Sequence, residues 1–451
     1  MKKHLLPLIL LVLPAAALAD EDDTRMLLDG AQKQMRRQQD GAAFSDGLSD
    51  SGSIEIDGET YIVPNTANDL ELGIYYAIDG RQWGKVREFV AAYRRLPEHK
   101  THLVLMAEGL VERAEGNVAA ALEKMKAAHA AAPDDVRVGL ELARLYGEDN
   151  QNRESQAQFK EVLKGEMPSE TRAAVQSYLD ILDTRRRWHG SISIGGGYND
   201  NINQGNGKRE CVGSFMGQCF SYRTLPSPIG SPFVQYSAVA AKKIPLRGHH
   251  NLLLRPLSYG TKYRRDDTQS EPPEPYSENT AALYAGYEHN TADSDFTFTP
   301  YFEHYFRGGR SRYRAWGAEA AWEKNLTAKW SLNVRAEAKR VKYLEQERQY
   351  YSDYTLYTGG AGLGYTFSDG LGLRANLRYS RRVFDAPGTL VYRFVRKDRE
   401  YQAGASVWHE KLSWKGLVPR LNLQYLKVDS NMGSFYSRRN MQWFVSVEKQ
   451  F

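Results

Sequence analysis

The carboxyl-terminal stretch Asn440–Phe451, NMQWFVSVEKQF, alternates between apolar and mostly polar residues. On an extended chain one side would carry Met441, Trp443, Val445, Val447 and Phe451, and the other Gln442, Phe444, Ser446, Glu448 and Gln450. This pattern, with its aromatic carboxyl terminus, favours a strand that faces lipid on one side and a water-filled lumen on the other. The segment alone is equally compatible with a soluble sheet. Because a lone strand leaves backbone groups without partners in a bilayer, the membrane interpretation requires a closed barrel.

The start of the chain has the organisation of a secretory signal peptide. Lys2 and Lys3 precede the apolar run Leu5–Leu13, and Ala17-Leu18-Ala19 forms a small-residue cleavage site. We therefore predict that residues 1–19 are a signal peptide, and no cysteine follows to indicate a lipoprotein. Later stretches fall short of eighteen consecutive apolar residues, so transmembrane helices are not expected.

Composition and charge agree with an exported, two-part chain. The sequence has 28 Tyr, 38 Gly and a mean hydropathy of −0.59, which suits a barrel whose lumenal side chains are polar. The net charge of +5 conceals an acidic front half and a basic back half, which meet near 183–187. Cys211 and Cys219 lie eight residues apart in a loop with Gly and Ser, and we expect a local disulfide rather than a metal site.

The front half contains a helical repeat. Its first copy has Gly73, Tyr76, Gly80, Phe89, Ala92 and Pro97, and its second has Gly109, Gly116, Ala121, Met125, Ala128 and Pro133. A looser third copy has Ala143, Tyr146, Phe159 and Pro168. The repeat of about 34 residues resembles the tetratricopeptide repeat (TPR), in which small residues let paired helices approach. Another kind of all-helical domain stays an alternative.

These patterns predict four regions. Residues 1–19 are the signal peptide, 20–65 a polar segment with a short hairpin at Asp57-Gly58, 66–187 a periplasmic TPR-like domain, and 188–451 an outer-membrane barrel. Because solenoids bind proteins in a concave groove, we predict that cargo contacts Arg113, Arg137, Arg144 and Glu148. Ordinary solvated helix charges are the alternative for each of these residues.

The back half contains twelve alternating segments, an even number as bacterial barrels require, and fourteen strands stay possible if 199–231 or the tenth segment hides a pair. The connections alternate between short and long, which predicts that both ends of this domain are periplasmic. Five basic residues fall on lumenal positions: Arg335, Lys339, Arg374, Arg378 and Arg382. A conduit role and a structural charge ladder explain them equally well.

Motifs for chemistry are missing from the sequence. It lacks Gly-x-Ser-x-Gly, His-Glu-x-x-His, the phosphate-binding Gly-x-x-x-x-Gly-Lys and Cys-x-x-Cys. The glycine-rich run 359–364 lies within a strand pattern, so it indicates a barrel wall rather than a nucleotide loop. His249, His250 and His289 fall at predicted turns without acidic partners at ligand spacing. We expect no catalytic residues, cofactor, metal or nucleic-acid partner.

The whole mature chain resembles the surface lipoprotein assembly modulator (Slam) family. The resemblance is carried by the repeats at Gly73–Pro97 and Gly109–Pro133, the entry strand Trp188–Ser193, its continuation Gly195-Gly196-Gly197-Tyr198-Asn199-Asp200-Asn201-Ile202-Asn203, and the closing strand. It implies an outer-membrane barrel that helps move lipoproteins, or soluble haem-scavenging proteins, to the cell surface. It also implies repeats that engage the cargo or its chaperones, and it supplies no catalytic residues.

The expected partners are therefore a protein cargo, either a surface lipoprotein or a soluble secreted protein, and outer-membrane lipids. Periplasmic chaperones and the barrel-assembly machinery are further candidates. Two other functions stay open, a polysaccharide exporter and a passive porin with an accessory domain. Such exporters usually carry a much longer repeat array than the three copies found in this sequence.

Overall fold

A computed structural model describes residues 55–56, 59–60, 63–199, 201–264, 272–387 and 395–451. The predicted signal peptide lies outside these ranges. Near the amino terminus, strands β1 (Glu55–Ile56) and β2 (Glu59–Thr60) pair antiparallel, with Ile56 opposite Glu59. The predicted turn residues Asp57 and Gly58 are outside the described residues. No helix in the described ranges is long and apolar enough to cross a membrane.

Seven helices precede the barrel in the described part of the chain. They are α1 (Ala67–Asp79), α2 (Trp83–Tyr93), α3 (Thr101–Ala114), α4 (Val118–Ala131), α5 (Val136–Glu148), α6 (Asn152–Val162) and α7 (Ser169–Arg185). The first five share one apolar core, and α5 to α7 share a second around Phe159. The small residues of the repeat lie at close helix contacts, since a Cβ on Gly109 would come 3.2 Å from the Ala121 carbonyl oxygen.

Among the described residues, twelve strands form a closed antiparallel barrel in which each strand pairs with its neighbours in sequence. They are β3 (His189–Asn199), β6 (Ser231–Pro245), β7 (His250–Tyr263), β8 (Glu278–Asn290), β9 (Ser294–Arg307), β10 (Arg310–Asn325), β11 (Trp330–Tyr343), β12 (Tyr354–Thr366), β13 (Leu371–Pro387), β14 (Val395–His409), β15 (Leu417–Ser430) and β16 (Arg438–Gln450). The last strand closes the barrel against the first, with Val445 opposite Gly196. The predicted count of twelve is therefore confirmed.

The long first connection does contain an extra strand pair, but the pair stays outside the barrel wall. Strands β4 (Arg209–Phe215) and β5 (Gln218–Thr224) form a separate two-stranded sheet. Cys211 and Cys219 are joined by a disulfide within this hairpin, with their Cα atoms 5.8 Å apart. The fourteen-strand alternative is thus wrong, because the two additional strands pair only with each other.

The closing strand has the two faces that its sequence indicates. Gln442, Phe444, Ser446 and Glu448 are buried in the lumen, whereas Met441 and Val445 are exposed on the outside. Lys449 is exposed on the outer face near the end of the strand. The glycine-rich run 359–364 lies inside β12, as expected for a barrel wall.

The barrel has two distinguishable ends. The helical domain leads into β3 at His189, so we call that end the near rim, where the connections 246–249, 291–293 and 367–370 are short. The opposite end, which we call the far rim, includes the long connection with the disulfide hairpin. The predicted alternation of short and long connections is therefore only partly observed, because 308–309 at the far rim is short and 410–416 at the near rim is as long as 431–437 at the far rim.

Candidate functional site

Arg113 and Glu148, two of the predicted groove residues, pair with each other between α3 and α5. The Arg113 Nη2 atom lies 2.6 Å from Glu148 Oε1, and its Nε atom lies 2.8 Å from Oε2. Burial acts to lower the pKa of Arg113, but the hydrogen bond and charge of Glu148 outweigh it, so this pKa is raised above its ordinary value. The pair braces two neighbouring repeats rather than leaving two free charges.

The other two predicted groove residues also have partners within the helical domain. Arg137 donates to Asp79 at 2.6 Å and lies 4.8 Å from the ring centre of Tyr75. Arg144 donates to Glu141 at 3.2 Å and lies over the Tyr178 ring. These contacts connect α5 to α1 and α7. Cargo binding by the four residues stays a prediction, and any cargo would have to compete with these internal partners.

The turn between α5 and α6 lies against two turns of the barrel's near rim. Asp149 Oδ2 is 2.7 Å from His249 Nε2, and Asn150 donates from its side-chain amide to the Thr291 carbonyl at 2.8 Å. Two backbone amides add to the contact: Gly248 donates to Glu154 at 2.8 Å, and Ala292 donates to Asp149 Oδ1 at 3.3 Å. We call this set of contacts the rim latch. It holds the repeat domain on the barrel at a point distant in sequence from the α7–β3 connection.

His249 does have an acidic partner, but this partner comes from the other domain and not from a residue at ligand spacing in the sequence. His249 contacts Asp149, and its ring centre lies 5.3 Å from that of His289. Burial acts to raise the pKa of Asp149, but hydrogen bonds from His249 and Gln151 outweigh it, so this pKa is lowered. Among the described residues, no group of three or more His, Cys, Asp or Glu side chains is arranged to hold a metal ion.

Four of the five predicted lumenal cations are buried in the barrel and Arg382 is partly buried, and these cations pair mostly with carboxylates on other strands. Lys339 lies 2.8 Å from Glu303, Arg335 lies 3.5 Å from Glu319, Arg374 lies 3.9 Å from Glu323, and Arg382 lies 3.1 Å from Glu400. Arg378 faces the lumen with the others and is 7% exposed. Because the positive charges are compensated, their arrangement favours the structural ladder over a basic conduit.

Further ion pairs extend this ladder around the wall. Arg420 on β15 is fully buried 3.0 Å from Glu448 on β16, and Arg255 on β7 is 3.1 Å from Glu319 on β10. Side chains that point inward from facing walls are thus almost inaccessible to water, so the described lumen is filled by its own residues. The part of the barrel that the structure describes therefore shows buried lumenal side chains where a large porin has a water-filled channel.

At the far rim, the chain after β3 folds inward over the lumen. Ile202 is fully buried against Phe233, Tyr263 and Phe444, and its carbonyl accepts a hydrogen bond from Arg307 at 3.2 Å. Asparagine side chains hold this turn: Asn201 donates to the Gly205 carbonyl at 2.7 Å, and Asn203 donates to that of Ser227 at 2.9 Å. We call this turn, which contains Asn201, Ile202 and Asn203, the mouth cap. Part of the asparagine-rich motif that carried the family resemblance therefore packs inside the far-rim end of the barrel.

Neither the rim latch nor the mouth cap was identified as a site from the sequence. Asp149 and His249 are 100 residues apart, and no periodic pattern connects them. The signals present in the sequence were local. Asparagine readily adopts a positive φ, and Asn150, two residues after the end of α5, has a φ of 58°. The clustered asparagines after Tyr198 likewise indicated a compact turn, but not its burial in the lumen.

A helical repeat domain latched to a closed, twelve-stranded barrel, with lipid-facing apolar residues outside and polar residues inside, defines an outer-membrane protein with its helical domain in the periplasm. Family profiles match both the helical half and the barrel half of the chain. The profile described as surface lipoprotein assembly modifier matches residues 188–359 and 346–451, and the profile for the N-terminal TPR repeats of the same proteins matches 62–159. The chain belongs to the surface lipoprotein assembly modifier family, which confirms the resemblance.

Individual relatives align along most of the chain. The hemophilin secretion modulator of Acinetobacter baumannii is 26% identical, over 100% of each chain. Surface lipoprotein assembly modifier 1 of Neisseria meningitidis serogroup B is 24% identical, over 88% of this chain and 86% of the relative. Among solved structures, an outer-membrane channel of Pseudomonas putida F1 is 12% identical over 58% of this chain and 95% of that one, with a TM-score of 0.36, a likeness too distant to carry an argument.

Proposed function

We propose that this protein is an outer-membrane translocator that delivers specific lipoproteins, or secreted haem- or metal-acquisition proteins, to the cell surface. The observation that carries the proposal is the match of both halves of the chain to proteins named for surface lipoprotein assembly and hemophilin secretion. The helical domain would receive the cargo, and the barrel would pass or assemble it at the surface. No step of this process requires catalysis by the protein, so we propose that it is not an enzyme.

The structure supports this proposal over the two alternatives. A passive porin needs an open lumen, whereas the described lumen is filled by paired side chains such as Arg420 and Glu448. A polysaccharide exporter would use a continuous basic track for an anionic polymer, whereas Lys339 and Arg382 are paired with carboxylates. The rim latch also fixes the repeat domain to the barrel, as a receiving domain requires.

We further propose that the functional regions follow the predicted bounds, with a signal peptide at 1–19, a polar segment at 20–65, the repeat domain at 66–187 and the barrel at 188–451. The concave side of the repeats would contact cargo or its periplasmic chaperones. Lipids surround the barrel, and the barrel-assembly machinery would insert it. Because the mouth cap packs in the far-rim end of the lumen, passage of cargo through the lumen would require this turn to move.

Protease shaving of intact cells tests the proposed function. Cells with the gene, cells without it and cells with a restored copy are shaved, and total envelope protein is quantified in parallel. We expect one or a few proteins to stay abundant in the deletion strain while losing surface exposure or release into the medium. An unchanged set of surface and released proteins, combined with a loss of secreted polymer, would instead support the exporter.

A further inference from the structure

The outer surface of the barrel carries a cluster of cations at the far-rim ends of four adjacent strands. The cluster, which we call the far-rim basic patch, consists of Arg381 on β13, Lys397 and Arg399 on β14, Lys427 on β15 and Arg439 on β16. Four of these side chains are exposed, and Lys427 is partly exposed. They point away from the lumen because they alternate with the buried residues Ser380, Asp398, Glu400, Val428 and Asn440.

The register of the strands brings like charges directly opposite each other. Arg381 is paired with Arg399 across β13 and β14, and Lys427 is paired with Arg439 across β15 and β16. Directly opposed like charges destabilise a sheet, so such an arrangement is unfavourable unless an anion lies between the cations. These opposed cations therefore do not stabilise the barrel by themselves, and their grouping favours the binding of an anion.

One carboxylate of the described residues lies within the patch. Asp429 is opposite Arg399, but its carboxylate is 2.7 Å from the Lys427 ammonium. The nearby Asp385 is paired with Arg340 on β11. Five cations and one carboxylate leave the described patch with a net charge of about +4 at neutral pH. The flanking segments 388–394 and 431–437 contribute no acidic residue to the sequence.

The patch lies where the apolar surface of the barrel ends. On β13 the outward residues run from Leu371 through Leu373, Ala375 and Leu377 to Tyr379, and Arg381 follows. Ten residues at roughly 3.4 Å each, on a strand tilted by about 40°, place Arg381 about 26 Å above Leu371, close to the ~25 Å height of a barrel's apolar band. Tyr379 and Tyr401, whose ring centres are 5.4 Å apart, mark the interface directly below.

We propose that the far-rim basic patch binds the phosphate groups of the outer-leaflet glycolipid, the lipid A part of lipopolysaccharide. The far rim is opposite the periplasmic domain, so the anions at this height are those of the outer leaflet. Arginine side chains bind phosphate through two parallel N–H···O bonds, and Arg381 and Arg399 present two such groups side by side. The exposed Leu377, Tyr379 and Tyr401 below them would contact the acyl chains.

Binding of purified, full-length protein to defined lipids tests this site. Native mass spectrometry in a mild detergent would compare bisphosphorylated lipid A, dephosphorylated lipid A, phosphatidylglycerol and inorganic pyrophosphate. We expect the bisphosphorylated form to bind at least about tenfold more tightly than the dephosphorylated form and phosphatidylglycerol, since several charge-assisted bonds depend on its phosphates. The proposal would be overturned if dephosphorylated lipid A or phosphatidylglycerol bound as tightly as bisphosphorylated lipid A. It would also be overturned if inorganic pyrophosphate bound as tightly as the lipid.

A matched pair of double variants locates the site. Arg381→Gln with Arg399→Gln removes two charges from the patch, and Lys329→Gln with Lys449→Gln removes two exposed charges at the near rim. We expect about a tenfold loss of lipid A affinity in the first variant and none in the second. Equal affinities in both variants would overturn the assignment to this patch. If the first variant fails to fold, as judged by heat-dependent gel mobility, Lys397→Gln with Arg439→Gln removes two other charges of the patch and takes its place, with the same expected loss of affinity.

Discussion

Arg420 and Glu448 form a fully buried ion pair between β15 and β16, 3.0 Å apart in the lumen. Removing one partner leaves a buried charge without its counterion, so we expect Arg420→Met to lower the free energy of unfolding by about 3–5 kcal/mol. The double variant Arg420→Met with Glu448→Leu should recover most of that loss, because it removes both charges. Urea unfolding of the refolded barrel measures the difference. If the double variant is as unstable as Arg420→Met, the loss of stability does not come from the unpaired charge of Glu448.

Two glycines in strands provide a second test at the residue scale. A Cβ on Gly286 would lie 2.2 Å from the Phe298 carbonyl oxygen, whereas a Cβ on Gly359 would meet nothing within 4 Å. We therefore expect Gly286→Ala to destabilise the barrel by about 1–3 kcal/mol and Gly359→Ala to have little effect. Urea unfolding of the two variants measures the difference. Similar stabilities would contradict the close approach of β8 and β9 at this position.

At the scale of elements, strand faces and strand number were predictable because the side-chain period of a strand is two. The alternation in Asn440–Phe451 placed Phe444 and Glu448 inside and Val445 outside. The repeat spacing likewise placed Gly109 at a close helix contact. The sequence did not show whether β4 and β5 belong to the barrel wall, because alternation within a segment does not indicate which strand it pairs with. The lumenal cations could be located, but their carboxylate partners lie on separate strands, beyond the reach of local patterns.

The rim latch makes the contact between α5–α6 and the barrel dependent on pH. The pKa of Asp149 is lowered in the folded protein, so the ionised form stabilises the contact fully above pH about 4, and this stabilisation is lost as the pH falls through the lowered pKa. Hydrogen exchange of the Asp149–Gln151 turn should therefore be slow at pH 6 and accelerate in acid relative to the rest of the helical domain, after correction for the intrinsic rate.

A pair of variants isolates the contribution of Asp149 to this pH dependence. Asp149→Asn should give fast exchange of the turn already at pH 6, because the neutral amide loses the charge-assisted bond with His249. The exposed Asp134, at the turn before α5, is the matched control, and Asp134→Asn should behave like the unaltered protein. Slow exchange in Asp149→Asn at pH 6 would show that the remaining latch contacts hold the domain without this carboxylate.

At the scale of the whole molecule, the repeat domain and the barrel are joined at two places, the α7–β3 connection and the rim latch. Two attachment points restrict rotation of a domain that one flexible connection would leave free. If the helical domain receives cargo for the barrel, the latch raises the effective concentration of cargo at the near rim. Transport should therefore depend on the latch even when both domains fold normally.

The double variant Asp149→Ala with Glu154→Ala tests this dependence, because these two carboxylates form the hydrogen bonds with His249, Gly248 and Ala292 of the barrel. We expect the barrel to assemble at normal levels and the cargo identified by protease shaving to stay abundant, while its surface-exposed fraction falls several-fold. Asp134→Ala with Glu166→Ala, at exposed positions of the same domain, controls for the loss of two charges. Normal surface exposure in the latch variant would mean that the covalent connection alone positions the domain. A loss of total cargo or of barrel would point instead to a defect in stability.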